Sequence, residues 1–179
     1  QVIGRHHLKA HRASVLVANH QSAFDIMALY FVGGQFKWIA KEELFRLPFA
    51  GWSMRLAGYI ALGRGRAHSI HATYERARAW LADGISVFFF PEGTRSATGR
   101  VGTFKRGAFQ LAVDAGAAVV PIAVQGTREL LPRHSLVLRR RGSIRIVVHP
   151  PIDPVARRMT AGDLRDEAHR LIAQTLAQS

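Results

Sequence analysis

The sequence contains no cysteine among its 179 residues. A chain without thiols can form neither a disulfide bond nor a thiolate-ligated metal site. The protein therefore needs no oxidising compartment, and a reducing cytosolic setting is compatible with it. The absence also removes cysteine as a nucleophile for covalent catalysis.

Long apolar runs are absent as well. No uninterrupted apolar stretch approaches the roughly 18 residues that a membrane-spanning helix requires, so the region is predicted to be soluble or peripheral to a membrane. The sequence opens with Gln1 and not with methionine. We therefore expect that the natural N-terminus, with any signal or anchor that it carries, is missing from this region.

Acidic side chains are scarce relative to basic ones. There are 12 Asp and Glu residues against 25 Lys and Arg residues, which gives a formal net charge of +13. Such a surface attracts anionic partners, and the candidates are nucleic acid, phospholipid head groups and an acidic carrier protein. A nucleic-acid-binding module is not expected, because the arginines are scattered along the chain and no base-reading motif accompanies them.

The order of predicted elements indicates an α/β fold. With 48% apolar residues the chain can bury one substantial core, and we expect a single domain over residues 1–179. Predicted strands alternate with predicted helices, which favours parallel pairing. We therefore expect a mostly parallel central sheet flanked by helices, with an antiparallel edge hairpin near the C-terminus. The predicted strands are residues 14–18, 36–40, 59–62, 85–90, 118–124, 136–138 and 144–148, and the predicted helices begin near residues 22, 41, 69, 105 and 162.

The stretch VANHQSAFD at residues 17–25 joins a predicted buried strand to a predicted helix. His20 falls on the turn between them. Asp25 falls in the first turn of the helix, where its side chain can lean back toward the preceding loop. This is the geometry of a base held by an orienting carboxylate. The same residues also fit a helix cap, with Ser22 as the N-cap and Asp25 three positions later, and the two interpretations are compatible.

A second polar turn follows the continuous apolar run at residues 85–90. The sequence FPEGTRS at residues 90–96 places Pro, Gly and charged residues where a strand covered on both faces ends. Such a terminus resembles the carboxyl-end crevice in which open α/β sheets bind ligands. Glu92 can accept hydrogen bonds from hydroxyl groups, and Arg95 offers a planar fork for a phosphate. The glycines of the basic turn at residues 63–66 do not have nucleotide-cradling spacing.

Together, the two motifs resemble those of the 1-acyl-glycerol-3-phosphate (lysophosphatidic acid) acyltransferase family of glycerolipid acyltransferases. Four ordered blocks of that family can be matched over roughly residues 14–125. The first and third blocks are specific, whereas the second is loose, because many members carry an aspartate at the position of Gly63. The blocks are His20 with Asp25; residues 41–51 with 58–64; residues 90–96; and residues 120–122.

The resemblance implies acyl transfer from a thioester to the free hydroxyl of a lysophospholipid. The expected acceptor is 1-acyl-glycerol-3-phosphate, and the expected product is phosphatidic acid. His20 is then the general base and Asp25 its orienting acid. For Lys41, a solvated lysine at a helix start is the alternative to a role in phosphate binding. The expected substrate-binding residues are Glu92, Gly93, Thr94, Arg95, Lys41 and Arg64.

The expected donor is acyl-CoA or acyl-ACP, in which ACP is the acyl carrier protein, and neither a metal nor a further cofactor is expected. The sequence offers no Gly-x-Ser-x-Gly elbow and no thiol on which a covalent acyl-enzyme would form. Direct attack by the acceptor hydroxyl is the simpler mechanism. The alternatives are another acceptor such as a lyso-ornithine lipid, a hydrolase that uses the same pair on water, and a non-catalytic basic domain that binds lipid or nucleic acid.

The segment LFRLPFAGWSMR at residues 44–55 mixes bulky apolar groups with arginines, as interfacial segments do. Together with the net positive charge, it predicts that the protein is membrane-associated and docks on an anionic membrane surface at the cytoplasmic face. The alternative is that Phe45, Phe49 and Trp52 are core residues, because their spacing also fits the buried face of a helix.

Overall fold

A computed structural model describes residues 1–8, 13–63, 65, 67–132, 138–139 and 142–178. The strands of this part of the chain are β1 (Val2–Ile3), β2 (Val15–Ala18), β3 (Phe36–Lys41), β4 (Ile60–Leu62), β5 (Ser86–Phe89), β6 (Val119–Gln125) and β7 (Arg145–Val148). They form one sheet in the order β1-β7-β6-β2-β5-β3-β4. Neighbouring strands run parallel except for β6 and β7, which are antiparallel.

Helices pack on the sheet from both sides. The helices are α1 (Phe24–Tyr30), α2 (Ala50–Leu56), α3 (Ala67–Ala82), α4 (Gly107–Asp114), α5 (Thr127–Leu130) and α6 (Ala161–Ala177), with short 3-10 helices at Arg5–Leu8 and Glu42–Arg46. The longest helix, α6, begins at a capping box. Thr160 Oγ1 accepts from the backbone N–H of Asp163 at 3.2 Å, and the Asp163 carboxylate accepts from the backbone N–H of Thr160 at 3.0 Å.

Side chains that alternate along the strands build a core on each face of the sheet. In β2, Val15 and Val17 belong to one cluster while Leu16 and Ala18 belong to the other, and all four are buried. Side chains of α3, α4 and α6 complete the first cluster, and side chains of α1 complete the second. Because both faces are covered, the central strands read as continuous apolar runs in the sequence.

The predicted fold class is confirmed, with a mostly parallel sheet, flanking helices and an antiparallel pairing near the C-terminus. That pairing joins β6 to β7 in a register that sets Ile122 opposite Val148. Residues 136, 137, 140 and 141 of the predicted hairpin lie outside the described residues, and Leu138 is not in a strand. The edge beyond β7 is formed by β1, which the sequence did not predict.

The helix predicted to begin near residue 41 forms as two shorter helices, the second 3-10 helix and α2, with Pro48 between them. The chain turns tightly here. A Cβ atom on Gly51 would lie 2.2 Å from the carbonyl oxygen of Phe45, so only glycine fits. Phe49 has a φ of 58°, which is rare for a bulky residue. The backbone of Phe49 is therefore strained at this turn just before α2.

The carboxyl ends of β2, β3, β4, β5 and β6 meet at one edge of the sheet, because these strands are parallel to one another. His20 follows β2, Glu92 follows β5, and Lys41 is the last residue of β3. This edge thus collects most of the residues predicted for the site, and the chain segment after β6 joins them there.

Candidate active site

His20 and Asp25 form the dyad that the sequence predicted. The imidazole Nδ1 of His20 lies 2.8 Å from Oδ2 of Asp25. The His20 side chain is 16% exposed, and that of Asp25 is fully buried. His20 stands in the loop between β2 and α1, and Asp25 is the second residue of α1. The short connection and the backward lean of a first-turn side chain bring the two groups together.

The Asp25 carboxylate also accepts hydrogen bonds from backbone N–H groups. Its Oδ2 accepts from the backbone N–H of Gln21 at 2.7 Å and of Ser22 at 2.9 Å, and its Oδ1 accepts from the hydroxyl of Thr127. The carboxylate thus contacts both the imidazole and the backbone at the start of α1, as the orienting and capping interpretations each require. The position before α1 is held by Ala23 and not by Ser22. Ser22 Oγ nevertheless accepts from the backbone N–H of Phe24 at 3.1 Å, and it donates to the carbonyl oxygen of Leu131 at 2.7 Å.

Further contacts hold the imidazole and backbone of His20. The ring stacks on Phe90 with centroids 4.0 Å apart and planes inclined by 17°. The backbone N–H of His20 donates to Glu92 Oε1 at 2.8 Å, and its carbonyl oxygen accepts from the N–H of Ser96 at 2.7 Å. Among the residues that the structure describes, none makes a hydrogen bond with Nε2. With Nδ1–H donated to Asp25, Nε2 carries the lone pair that a general base needs.

Glu92 supports the loop that follows β5. Its second oxygen, Oε2, accepts from the backbone N–H of Gly102 at 2.9 Å, so the carboxylate bridges His20 to the end of this loop. Burial raises the pKa of the Glu92 carboxyl, and the amide hydrogen bonds from His20 and Gly102 act in the opposite direction. This bridging role was not predicted from the sequence.

The other predicted substrate-binding residues occupy the same edge of the sheet. Gly93 has a φ of 73° and turns the chain directly after Glu92. Thr94 is exposed, and Arg95 is half-buried. Lys41 is exposed at the end of β3, opposite Leu62 of β4. Arg64 lies outside the described residues.

Two residues that the sequence did not single out fasten the loop after β5, one to the loop that carries His20 and the other to α5. The side-chain amide of Gln21 donates to the carbonyl oxygen of Gly99 at 2.9 Å, and the guanidinium of Arg128 donates to that of Ala97 at 2.9 Å. Gln21 lies inside the first motif, so its position already carried a signal. The position of Arg128 carried no such signal in the sequence, because its contact with Ala97 joins residues 31 positions apart.

Comparison with known proteins identifies the relatives of this chain. Residues 1–125 match the protein-family model described as Acyltransferase. The chain is 41% identical over 163 residues to the chloroplastic 1-acyl-sn-glycerol-3-phosphate acyltransferase of Arabidopsis thaliana, covering 91% of this chain and 45% of that protein. It is 36% identical over 156 residues to human 1-acyl-sn-glycerol-3-phosphate acyltransferase alpha, covering 85% of this chain and 54% of that protein. The chain thus spans about half the length of these relatives.

The fold has a counterpart among solved structures. The crystal structure of the 1-acyl-sn-glycerophosphate (LPA) acyltransferase, PlsC, from Thermotoga maritima matches with a TM-score of 0.86 and 29% sequence identity. The match covers 99% of this chain and 70% of that one. Sequence and fold agree with the resemblance that the four blocks predicted, and the chain belongs to the acyltransferase family that includes the 1-acyl-sn-glycerol-3-phosphate acyltransferases.

Proposed function

We propose that this protein transfers a fatty acyl group from a thioester to the free hydroxyl of 1-acyl-glycerol-3-phosphate, which gives phosphatidic acid. The observation that carries the proposal is the dyad, in which Asp25 holds Nδ1 of His20 at 2.8 Å and leaves Nε2 as the basic atom. The acceptor is inferred from the relatives, since those in Arabidopsis thaliana and human are named for it.

In the proposed reaction, Nε2 of His20 removes the proton from the acceptor hydroxyl while the hydroxyl oxygen attacks the carbonyl carbon of the thioester. A C–O bond forms and the C–S bond breaks. The leaving thiolate takes the proton from the imidazolium, so His20 returns to its neutral form. The Asp25 carboxylate stabilises the imidazolium between the two proton transfers. No protein side chain is acylated at any step.

We assign acceptor binding to the loop after β5 and to the ends of β3 and β4. Glu92 uses one lone pair of each oxygen for backbone amides, so its other lone pairs remain for glycerol hydroxyls. Arg95 supplies the planar fork for the phosphate. Lys41 and Arg64 add positive charge, while Gly93 and Thr94 shape the turn. The donor is acyl-CoA or acyl-ACP, and no metal or further cofactor is required.

A thiol-release assay tests this function. Purified protein is mixed with acyl-CoA or acyl-ACP, and the freed thiol is followed with lysophosphatidate, with a lyso-ornithine lipid, and without an acceptor. We expect release to require an acceptor and to be fastest with lysophosphatidate. Equal release without an acceptor would identify a thioester hydrolase instead. If no thiol is released with any acceptor, the result would indicate a non-catalytic lipid-binding domain.

Arg95→Lys tests the phosphate contact. Lysine keeps the charge but loses the bidentate fork, so we expect the acceptor KM to rise by about tenfold while the donor KM stays unchanged. Steady-state kinetics with lysophosphatidate measure both constants. Arg100→Lys, an exposed arginine in the same loop, is the matched control. An Arg95→Lys enzyme with unchanged acceptor KM and kcat would remove this role.

We further propose that the protein docks on an anionic membrane through Phe49, Trp52 and Leu56, which we call the α2 apolar cluster. These side chains are 78%, 56% and 90% exposed, and the rings of Phe49 and Trp52 lie 5.3 Å apart. By contrast, Phe45 is buried in the core with 5% exposure. Solvent exposure of bulky apolar groups, one of them held by a strained backbone, favours an interfacial role.

The net charge of the chain, +13, supports an anionic membrane, because each basic residue near the surface contributes about 1 kcal/mol. The two short helices themselves add no net charge, since Glu42 and Glu43 balance Arg46 and Arg55, and Glu42 pairs with Arg46 at 3.5 Å. Anionic lipids are concentrated in the cytoplasmic leaflet, so we propose membrane association at the cytoplasmic face. No helix in the described part of the chain is long and apolar enough to cross a bilayer.

Vesicle co-sedimentation tests the docking surface. We expect binding to anionic but not to neutral vesicles, and weaker binding as salt screens the charges. The double variant Phe49→Ser, Trp52→Ser should bind at least tenfold more weakly, because burial of one such side chain is worth about 1.5–3 kcal/mol. Val155→Ser is the control, because it also removes an exposed apolar side chain. Val155 is 65% exposed, lies next to Gly116 and does not belong to the α2 apolar cluster. A wild-type protein that stays in solution with anionic vesicles at low salt would contradict this surface.

A further inference from the structure

Among the described residues, the carboxylate of Asp25 has one hydrogen-bond partner outside its own motif. His20 Nδ1 and the backbone N–H groups of Gln21 and Ser22 all converge on Oδ2. The other oxygen, Oδ1, accepts from Thr127 Oγ1. Within the described residues this hydroxyl is the hydrogen-bond donor to Oδ1, and both Asp25 and Thr127 are fully buried at 0% exposure. The two oxygens therefore have separate sets of donors.

Local structure on the β6 side brings Thr127 to the carboxylate. The side-chain amide of Asn19 donates to the carbonyl oxygen of Val124 at 2.9 Å and accepts from its N–H at 2.8 Å. This double contact continues the pairing of β2 with β6 beyond Ala18 and Ile122. The end of β6 is thus fixed beside the loop that carries the dyad.

A glycine then turns the chain so that Thr127 faces Asp25. Gly126 has a φ of 85°, and a Cβ atom on it would lie 1.9 Å from the carbonyl oxygen of Ser143, so no other residue fits. At the far end of α5, the hydroxyl of Ser22 donates to the carbonyl oxygen of Leu131. The short helix is therefore tied to the first motif at both ends, and the branched side chain of Thr127 has little rotational freedom.

The orientation of the Asp25 carboxylate depends on the donor to each of its two oxygens. Without the Thr127 hydroxyl, Oδ1 would be a buried anionic oxygen that lacks a donor, which is costly. The carboxylate would then rotate to share the three remaining donors between its two oxygens. The Nδ1–H group of His20 would lose its single, fixed acceptor, and the direction of Nε2 would become less defined.

We propose that Thr127 is a positioning residue of the acyl-transfer reaction, whose hydroxyl fixes the Asp25 carboxylate so that His20 keeps Nδ1–H toward Asp25 and Nε2 toward the acceptor. Its effect on rate rests on the proposed function. The contact itself exists without substrate and can be tested separately.

The first test compares Thr127→Val, which has the same shape and no hydroxyl, with Thr127→Ser, which keeps the hydroxyl. We expect Thr127→Val to lower kcat by about 10- to 100-fold, part of what loss of a positioned base costs, with both KM values near wild type. Thr127→Ser should stay within about threefold of the wild-type kcat. Thr73→Val is the matched control, because Thr73 is a buried threonine whose hydroxyl donates to carbonyl oxygens of Ala61 and Ser69.

A double-variant cycle adds a second criterion. In the Asp25→Ala background the side chain that Thr127 contacts is gone, so Thr127→Val should lower kcat by less than about threefold further. If Thr127→Val does not fold, Thr127→Ala replaces it, because alanine also removes the hydroxyl and introduces no donor in its place. A folded Thr127→Val or Thr127→Ala protein with the wild-type kcat would overturn the proposal. So would a Thr127→Ser protein that is as slow as Thr127→Val.

Proton NMR of the free protein provides a readout that needs no turnover. The Nδ1–H proton of His20, identified by its loss in His20→Ala, should give a downfield, exchange-protected resonance in the wild type, Thr127→Ser and Thr73→Val. It should broaden or disappear in Thr127→Val. If this pattern holds while the wild type transfers no acyl group, the proposed function fails and the positioning contact stands. A resonance that is absent from the wild type, or unchanged in Thr127→Val, overturns the contact.

Discussion

Replacement of His20 by alanine should lower the acyl-transfer rate by about 10²- to 10⁴-fold, the range expected for loss of a positioned general base. The protein should remain folded. The backbone contacts of this position, to Glu92 and from Ser96, do not depend on the side chain. Asp25 Oδ2 also keeps its two backbone donors when the imidazole is removed.

Thiol release with lysophosphatidate measures this rate, and circular dichroism with a thermal melt verifies the fold. His71→Ala removes an exposed histidine of α3 and should leave the rate unchanged. Retention of more than half of the wild-type rate by folded His20→Ala would end the assignment of His20 as the base.

Asp25→Asn should lower kcat on the order of 10⁴-fold with little change in either KM, as in other base–carboxylate pairs. The substitution fits the site. The amide oxygen can take the three donors that now converge on Oδ2, and the amide NH₂ can donate to the hydroxyl of Thr127. Shape and hydrogen bonds are then kept, and the negative charge that stabilises the imidazolium is lost.

Asp83→Asn, at the exposed end of α3, is the matched control for this change. It removes one negative charge from the surface and should leave kcat within about twofold of the wild type, because exposed charges are strongly screened. An Asp25→Asn enzyme with the same kcat as Asp83→Asn would show that Asp25 acts only as a helix cap.

The main elements of the fold could be predicted because their signals are local. The buried run that forms β5 and the alternating clusters of β2 are visible in a few consecutive residues. By contrast, β1 has two residues, and it forms only by pairing Val2 with Ile146, far along the chain. A segment this short carries no periodicity, so its strand state depends on tertiary contact alone.

The contacts of the site likewise comprise local ones, which the sequence could predict, and long-range ones, which it could not. His20 and Asp25 are five positions apart, and helix geometry alone brings them into contact. Thr127 lies 102 positions from Asp25, and Glu92 lies 72 positions from His20. Both contacts depend on strand order, which places β6 and β5 on either side of β2. The sequence marked Glu92 as polar and functional, but its bridge between two backbone amides required the folded loop.

The most direct test of the proposed reaction is a grid of initial rates of phosphatidic acid formation over several concentrations of acyl thioester and lysophosphatidate. If His20 activates the acceptor for direct attack, both substrates are bound together, and double-reciprocal plots should give intersecting lines. The product should appear in a one-to-one ratio with released thiol. Parallel lines would indicate a covalent acyl-enzyme, and thiol release without phosphatidic acid would show that water is the acceptor; either result would contradict direct transfer.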